Sequence, residues 1–141
     1  NSKHPALKIV IKQAMIGKSQ FDQIKIEQVA YINLKSKHTD LYINELHKNG
    51  TFELKFGSVT VKMIKDGFKK LDFDSEFANI KIGLEKHRGF NFEANGSFAD
   101  IDVPFKANNQ AKENKEHVTA NLGDKATIRA KLRFGNFKIK K

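Results

Sequence analysis

Apolar residues alternate with polar ones in short runs, and each run closes on one six-residue pattern: aromatic, small, polar, apolar, any, apolar. It reads Phe21-Asp22-Gln23-Ile24-Lys25-Ile26, then His38-Thr39-Asp40-Leu41-Tyr42-Ile43, then Phe56-Gly57-Ser58-Val59-Thr60-Val61. It returns as Phe77-Ala78-Asn79-Ile80-Lys81-Ile82, Phe98-Ala99-Asp100-Ile101-Asp102-Val103 and Phe134-Gly135-Asn136-Phe137-Lys138-Ile139. Between the first apolar positions (24, 41, 59, 80, 101, 137) the steps are 17, 18, 21, 21 and 36. Recurrence near 20 residues marks a stacked repeat.

Stepping back from each aromatic in twos gives Leu71, Phe73, Ser75, Phe77 in one copy and Phe92, Ala94, Gly96, Phe98 in the next. Alternate side chains of a strand share one face, so each copy presents an inward apolar set, then a two-residue corner and a second short strand. No copy can bury that face alone, but stacked copies can. The pattern predicts an all-β chain, a single-stranded parallel and right-handed β-solenoid (β-helix) of about six coils.

An antiparallel β-sandwich is the competing architecture, because Phe56-Gly57-Ser58-Val59 and Phe134-Gly135-Asn136-Phe137 also suit hairpin turns with Gly at the first central position. Ala78, Ala99 and Thr39 occupy the equivalent place elsewhere, and each would meet a steric penalty at the positive φ such turns need. The solenoid is favoured.

Along the chain, Asn1–Pro5 reads as a frayed terminus, Leu7, Ile9 and Ile11 as a strand of an incomplete leading coil, and Met15–Ile26 as the first copy. Asn49-Gly50, Lys65-Asp66-Gly67 and His87-Arg88-Gly89 signal turns. Residues 106–124 break the period with Asn, Gln, Lys, Glu and Ala, and only Val118 and Leu122 are larger apolar residues. Removing about 16 residues there restores the usual step, so this stretch is expected to be a polar loop inserted at one corner. The whole, 1–141, is read as one domain, the C-terminal part of a longer envelope protein. The chain begins with Asn and carries no targeting signal.

A net charge of +10 and a calculated pI near 9.7 favour anionic partners: a glycan, a lipid or other surface, or an acidic protein ligand. Lysines on strand edges also discourage aggregation, which is a purely structural use of the same charge. Without cysteine there are no disulfides or thiolate sites, in keeping with an envelope protein. No run of 18 apolar residues is present, so no transmembrane helix is predicted.

With its copies aligned, the chain resembles a family of bacterial envelope β-solenoid domains described as adhesins of unknown function. The resemblance rests on aromatic-Gly/Ser/Ala-Asn/Asp followed by apolar-Lys-apolar-Gly. Phe77-Ala78-Asn79-Ile80-Lys81-Ile82-Gly83 matches it best, and Phe134-Gly135-Asn136-Phe137-Lys138-Ile139 resembles the usual terminal copy. The likeness covers Ser19 to Lys141 and implies a secreted, periplasmic or surface location and no catalytic residues. His38 and the 106–124 insertion depart from the pattern.

Candidate chemistry lies on the outward positions. Aligned copies place Asp72, Asp74 and Glu76 in an acidic patch, which on a β-helix could bind Ca²⁺ or act on a polysaccharide. The same alignment pairs Lys35 with Glu53, Lys55 with Glu76 and Glu93 with Arg129, so register-fixing ion pairs are the better reading. The aromatic column shares the phase of the core and is expected to be buried, with His38 stacked among the Phe rings, rather than to form a platform for nucleobases. Gln23, Asp40, Ser58, Asn79, Asp100 and Asn136 form a polar corner column expected to bond backbone groups. The five His are scattered, and neither a metal nor another cofactor is predicted.

The expected role is therefore a non-enzymatic envelope or surface module, an adhesin or interaction scaffold that contacts its partner through Lys35, Lys37, Lys106, Lys112, Lys115, Arg129, Lys131 and Arg133. A polysaccharide-acting enzyme and a periplasmic structural or sensor module are the alternatives. Nucleic acid is the less favoured anion.

Overall fold

In a computed structural model the backbone is described for residues 6–18 and 23–140, with side chains from Gln23 to Lys140; residues 1–5, 19–22 and 141 fall outside the description. The first motif's Phe21 and the frayed terminus therefore lie outside the described residues.

All regular structure among the described residues is strand: β1 (Ala6–Lys18), β2 (Gln23–Ile64), β3 (Lys70–Leu84), β4 (Phe90–Asp102), β5 (Asn108–Lys112), β6 (Lys115–Asn121) and β7 (Ala126–Lys140). They form one sheet in the order β1-β2-β3-β7-β4-β6-β5. The first four contacts in that order are parallel. Ala6 pairs with Gln23, Thr51 with Asp72, Asp72 with Arg129, and Glu93 with Arg129. The last two are antiparallel, Ala94 with Val118 and Gln110 with His117. The protein is all-β with a mixed sheet.

The long β2 run contains more than one copy of the pattern, stacked on itself. Ser58 Oγ donates to Asp40 Oδ1 at 2.9 Å, and the His38 and Phe56 rings stack at 5.0 Å. Copies do not stack in sequence order throughout, however: the last copy, on β7, lies between β3 and β4.

The inward phase is as the alternation demands. Phe52, Leu71, Phe73, Ser75, Phe92, Ala94, Ile128 and Leu132 are buried in one core. Phe73, Ala130 and Ala94 are successive register partners, and beside the two small alanines Phe137 packs with its ring 5.6 Å from Phe73 and 5.8 Å from Phe92. Large and small side chains thus interdigitate across neighbouring strands, as close packing requires.

The corners differ from the expectation. The residue with positive φ is the aromatic itself: His38, Phe56, Phe77, Phe98 and Phe134 have φ between 53° and 60°. A left-handed residue advances the alternation by one, so burial passes from Ser36 to Thr39 and from Ser75 to Ala78, and the ring between them turns outward. The steric objection raised against Ala and Thr at the next position therefore does not apply. The strain sits one residue earlier, at about 1–2 kcal/mol for each non-glycine residue.

Residues 106–124 are not a structureless loop. β5 and β6 form a hairpin turning at Glu113, whose φ is 57°, and β6 extends the sheet beyond β4. The outermost strand, Asn-Asn-Gln-Ala-Lys, is exposed along its length. Its polar, lysine-ended character blunts the sheet edge.

Candidate functional site

Two surfaces stand out: the corner ridge and the outward face that the hairpin overlooks. Along the ridge the rings run His38, Phe56, Phe77, Phe134, Phe98, with centroids 5.0, 5.2, 4.8 and 5.1 Å apart and planes within 4–9° of parallel. Phe56 is 38% exposed and Phe98 56%. The expectation that this column is core is overturned, because the left-handed corner swings each ring out; the expected stacking of His38 with the Phe rings is present.

The ridge geometry restricts what it can bind. Phe56, Phe77 and Phe134 each have both faces covered by neighbouring rings, so only their edges meet solvent. A nucleobase or sugar needs an open ring face to stack on. Face-stacking on these three rings is thereby ruled out.

Beside the ridge runs the polar column. Its members bond one another: Ser58 to Asp40, and Asn136 Nδ2 to Asn79 Oδ1 at 3.1 Å. With its amide turned over, Asn136 reaches Asp100 Oδ2 at 3.3 Å.

The charge ladders fall into the register that the alternation implies. Lys35 Nζ lies 3.3 Å from Glu53, Lys55 Nζ 3.9 Å from Glu76, and Arg129 Nε 4.0 Å from Glu93. The position of β7 adds a contact that sequence order did not suggest: Arg133 donates to Glu76 Oε2 at 3.2 Å. Glu76 is thus held between two cations, while Asp72 faces Arg129 and Asp74 faces Lys131 across the β3–β7 pairing. The acidic patch is interleaved with cations. Among the described residues no group of three His, Asp or Glu side chains is placed to hold a metal ion.

The eight candidate cations gather in two places. Lys35 and Lys37 line a cavity of about 450 Å³ with Lys55, Glu53 and Glu76. The other six flank the outward face of β4, between β7 and the hairpin. Lys106 and Arg129 line a cavity of about 740 Å³; Lys112, Lys115, Lys131 and Arg133 line the next one along, of about 480 Å³. Cations 27 residues apart in sequence (Lys106 and Arg133) are brought to one surface because β6 and β7 flank β4 on opposite sides.

Two residues of β6 went unnoticed in the sequence. His117 bonds Asn95 Oδ1 through Nδ1 and lies 3.6 Å from Glu93 through Nε2, tying the hairpin to β4. Glu116, the register partner of the core-phase Gly96, turns to the opposite face, and its Oε1 is buried with no hydrogen-bond partner among the described residues. Both follow from the antiparallel β4–β6 register, which a polar stretch without alternation does not announce.

A third charged cluster ties the returns together. Glu85 accepts from the Asp66 backbone N–H at 2.8 Å and from Lys65 Nζ at 3.1 Å, which hold its carboxyl below the usual range; Lys86, 3.1 Å from Asp66, does the same for that residue. Lys65 is correspondingly raised by Glu85.

No protein-family model, curated protein or solved structure matches the chain. No helix among the described residues is long and apolar enough to cross a membrane.

Proposed function

We propose that this chain is a non-enzymatic interaction module of the cell envelope, an adhesin or scaffold, that holds an extended anionic partner against its outward basic face. The observation that carries this reading is the convergence of Lys106, Lys112, Lys115, Arg129, Lys131 and Arg133 on one side of β4. A row of cations at strand spacing offers repeated, shallow contacts, which suit a polymer or surface better than a small substrate. The parallel part of the sheet is read as a right-handed β-solenoid, a rigid platform whose far end is closed by the β5–β6 hairpin. Parallel pairing from β1 to β4 supports that reading. The likeness to envelope adhesin domains points the same way.

Protease shaving of intact host cells, followed by an antibody to this domain with a periplasmic marker as control, tests the surface assignment. Cleavage on intact cells is expected. Protection until the outer membrane is breached would overturn the adhesin reading and leave a periplasmic scaffold.

A further inference from the structure

Exposed apolar side chains are not scattered over this protein. Of the five large hydrophobic residues exposed among the described residues, four are the ridge phenylalanines Phe56, Phe77, Phe134 and Phe98, in one line with His38. Each phenylalanine shows roughly 100 Å² of ring, so the line presents roughly 400 Å² of apolar surface. A contiguous patch of that size marks a contact surface. Neighbouring rings close most of the faces, so a partner meets a row of ring edges: apolar area without a stacking site.

The two flanks of the ridge carry opposite charge. In the spatial order of the rings, the residue before each ring is Lys37, Lys55, Glu76, Arg133 and Ser97; three cations and one carboxylate leave this flank at +2. The chain crosses the ridge at the ring, turns the next residue inward, and sets down Asp40, Ser58, Asn79, Asn136 and Asp100 on the other flank, at −2. Lys37 closes no ion pair among the described residues. A uniformly anionic partner would be drawn to the first flank and repelled by the second.

A second copy of the chain suits both flanks at once. With a two-fold axis along the ridge, each rung meets the same rung of its partner, and the cationic flank of one copy lies against the acidic flank of the other. Lys37 then faces the partner's Asp40, Lys55 the partner's Ser58 and Arg133 the partner's Asn136. Glu76 faces the partner's Asn79, and Asp100 has the partner's Arg133 one rung away. No like charges meet. With the axis across the ridge the order of rungs reverses: Lys55 meets the partner's Arg133, Glu76 the partner's Glu76, and Asp40 the partner's Asp100. Like charges so placed oppose association.

We propose that the aromatic ridge is a self-association surface, which pairs two copies with their ridges parallel about a two-fold axis. The ring edges alone fall short of the roughly 800 Å² per partner of a standard interface, and the two flanking rows supply the rest. This goes beyond the reading of the basic face and does not depend on it.

Sedimentation equilibrium of the whole chain at micromolar concentrations is the test. A dimer of twice 16.0 kDa is expected. Lys37→Asp and Asp40→Lys should each raise the dimer dissociation constant about tenfold or more. Together they should return it to within about threefold of the wild type, because the exchanged charges again face each other across the axis. Phe98→Ser, at the end of the ridge, should weaken the dimer while circular dichroism shows the fold retained. A wild type that stays monomeric throughout would overturn the proposal. A tighter dimer for Asp40→Lys would overturn the parallel arrangement, since that lysine would meet the partner's Asp100 in the reversed one. Failure of the double variant to recover would overturn the pairing of the two flanks. Cosedimentation of a monomeric wild type with phosphatidylglycerol vesicles, lost in Phe98→Ser, would overturn self-association in favour of a lipid surface.

Discussion

The ring of Phe134 lies 4.8 Å from that of Phe77 and within 4° of parallel, although β4, β5 and β6 all intervene between them in the chain. The same insertion of β7 places Arg133 on Glu76 and Lys131 beside Asn95. The ridge, the ladders and the basic face therefore share one origin.

Each ridge aromatic combines a strained φ with exposure, and ring stacking offsets part of that cost, at about 0.5–1.5 kcal/mol for a pair. Phe77 stacks on both sides. Phe77→Ala keeps the left-handed backbone and loses both contacts, so it should destabilise by about 1–3 kcal/mol. Phe77→Asn loses the same contacts but tolerates the left-handed region better. In urea denaturation it should be more stable than Phe77→Ala. The reverse order would remove backbone strain from the explanation.

Following the rings in space, the next residues read Thr39, Gly57, Ala78, Gly135, Ala99, so glycine alternates with a side chain. A Cβ on Gly135 would lie 2.0 Å from the Ala78 carbonyl oxygen, and one on Gly57 2.2 Å from that of Thr39. Backbone on the opposing strand cannot yield as a flexible side chain can. Gly135→Ala should therefore cost about 2 kcal/mol or more. Ala99→Gly, at the end of the same column, should cost no more than about 1 kcal/mol. Similar midpoints for the two variants would contradict the close approach.

Glu85 and Asp66 carry carboxyls held below their usual values of 4.5 and 3.8, by the Asp66 N–H and Lys65 for the first and by Lys86 for the second. A depressed folded value contributes stability that is complete above the ordinary value and is lost as pH falls through the folded one. Asp66→Asn/Glu85→Gln should thus lower the melting temperature at pH 7 and converge on the wild type as pH drops well below 4. Added salt should shrink the difference, because these groups are at the surface. An offset that stays constant down to acid pH would place the effect elsewhere.

Much of this architecture is legible in the chain. Period-2 alternation identifies Leu71, Phe73 and Ser75 as inward, and aligned copies predict the Lys35–Glu53, Lys55–Glu76 and Glu93–Arg129 pairs. The three-residue step from Phe77 to Ile80 is odd, so a change of phase at the corner is legible. Spacing alone fits a ring on either side of that change, and only the positive φ at Phe77 turns it outward. The stacking order of the copies is less accessible, because equal copies fit either neighbour and only tertiary pairing selects β7 for the place beside β3. The hairpin is harder still. Asn108–Lys112 is exposed on every residue, so no apolar period distinguishes it from a loop. With the hairpin hidden, Lys112 and Lys115 could be named but not placed opposite Lys131.

The position of β7 between β3 and β4 is tested most directly by disulfide trapping. The native chain has no cysteine, so two introduced thiols can pair only with each other. Asp74 and Lys131 are register partners, as are Lys131 and Asn95, which leaves Asp74 and Asn95 two strand spacings apart, about 10 Å. A disulfide spans Cα atoms up to about 7 Å apart. Under mild oxidation Asp74→Cys/Lys131→Cys should form an intramolecular disulfide, and Asp74→Cys/Asn95→Cys should not. The opposite result would mean that the copies stack in sequence order, and the basic face assembled around β4 would fall with it.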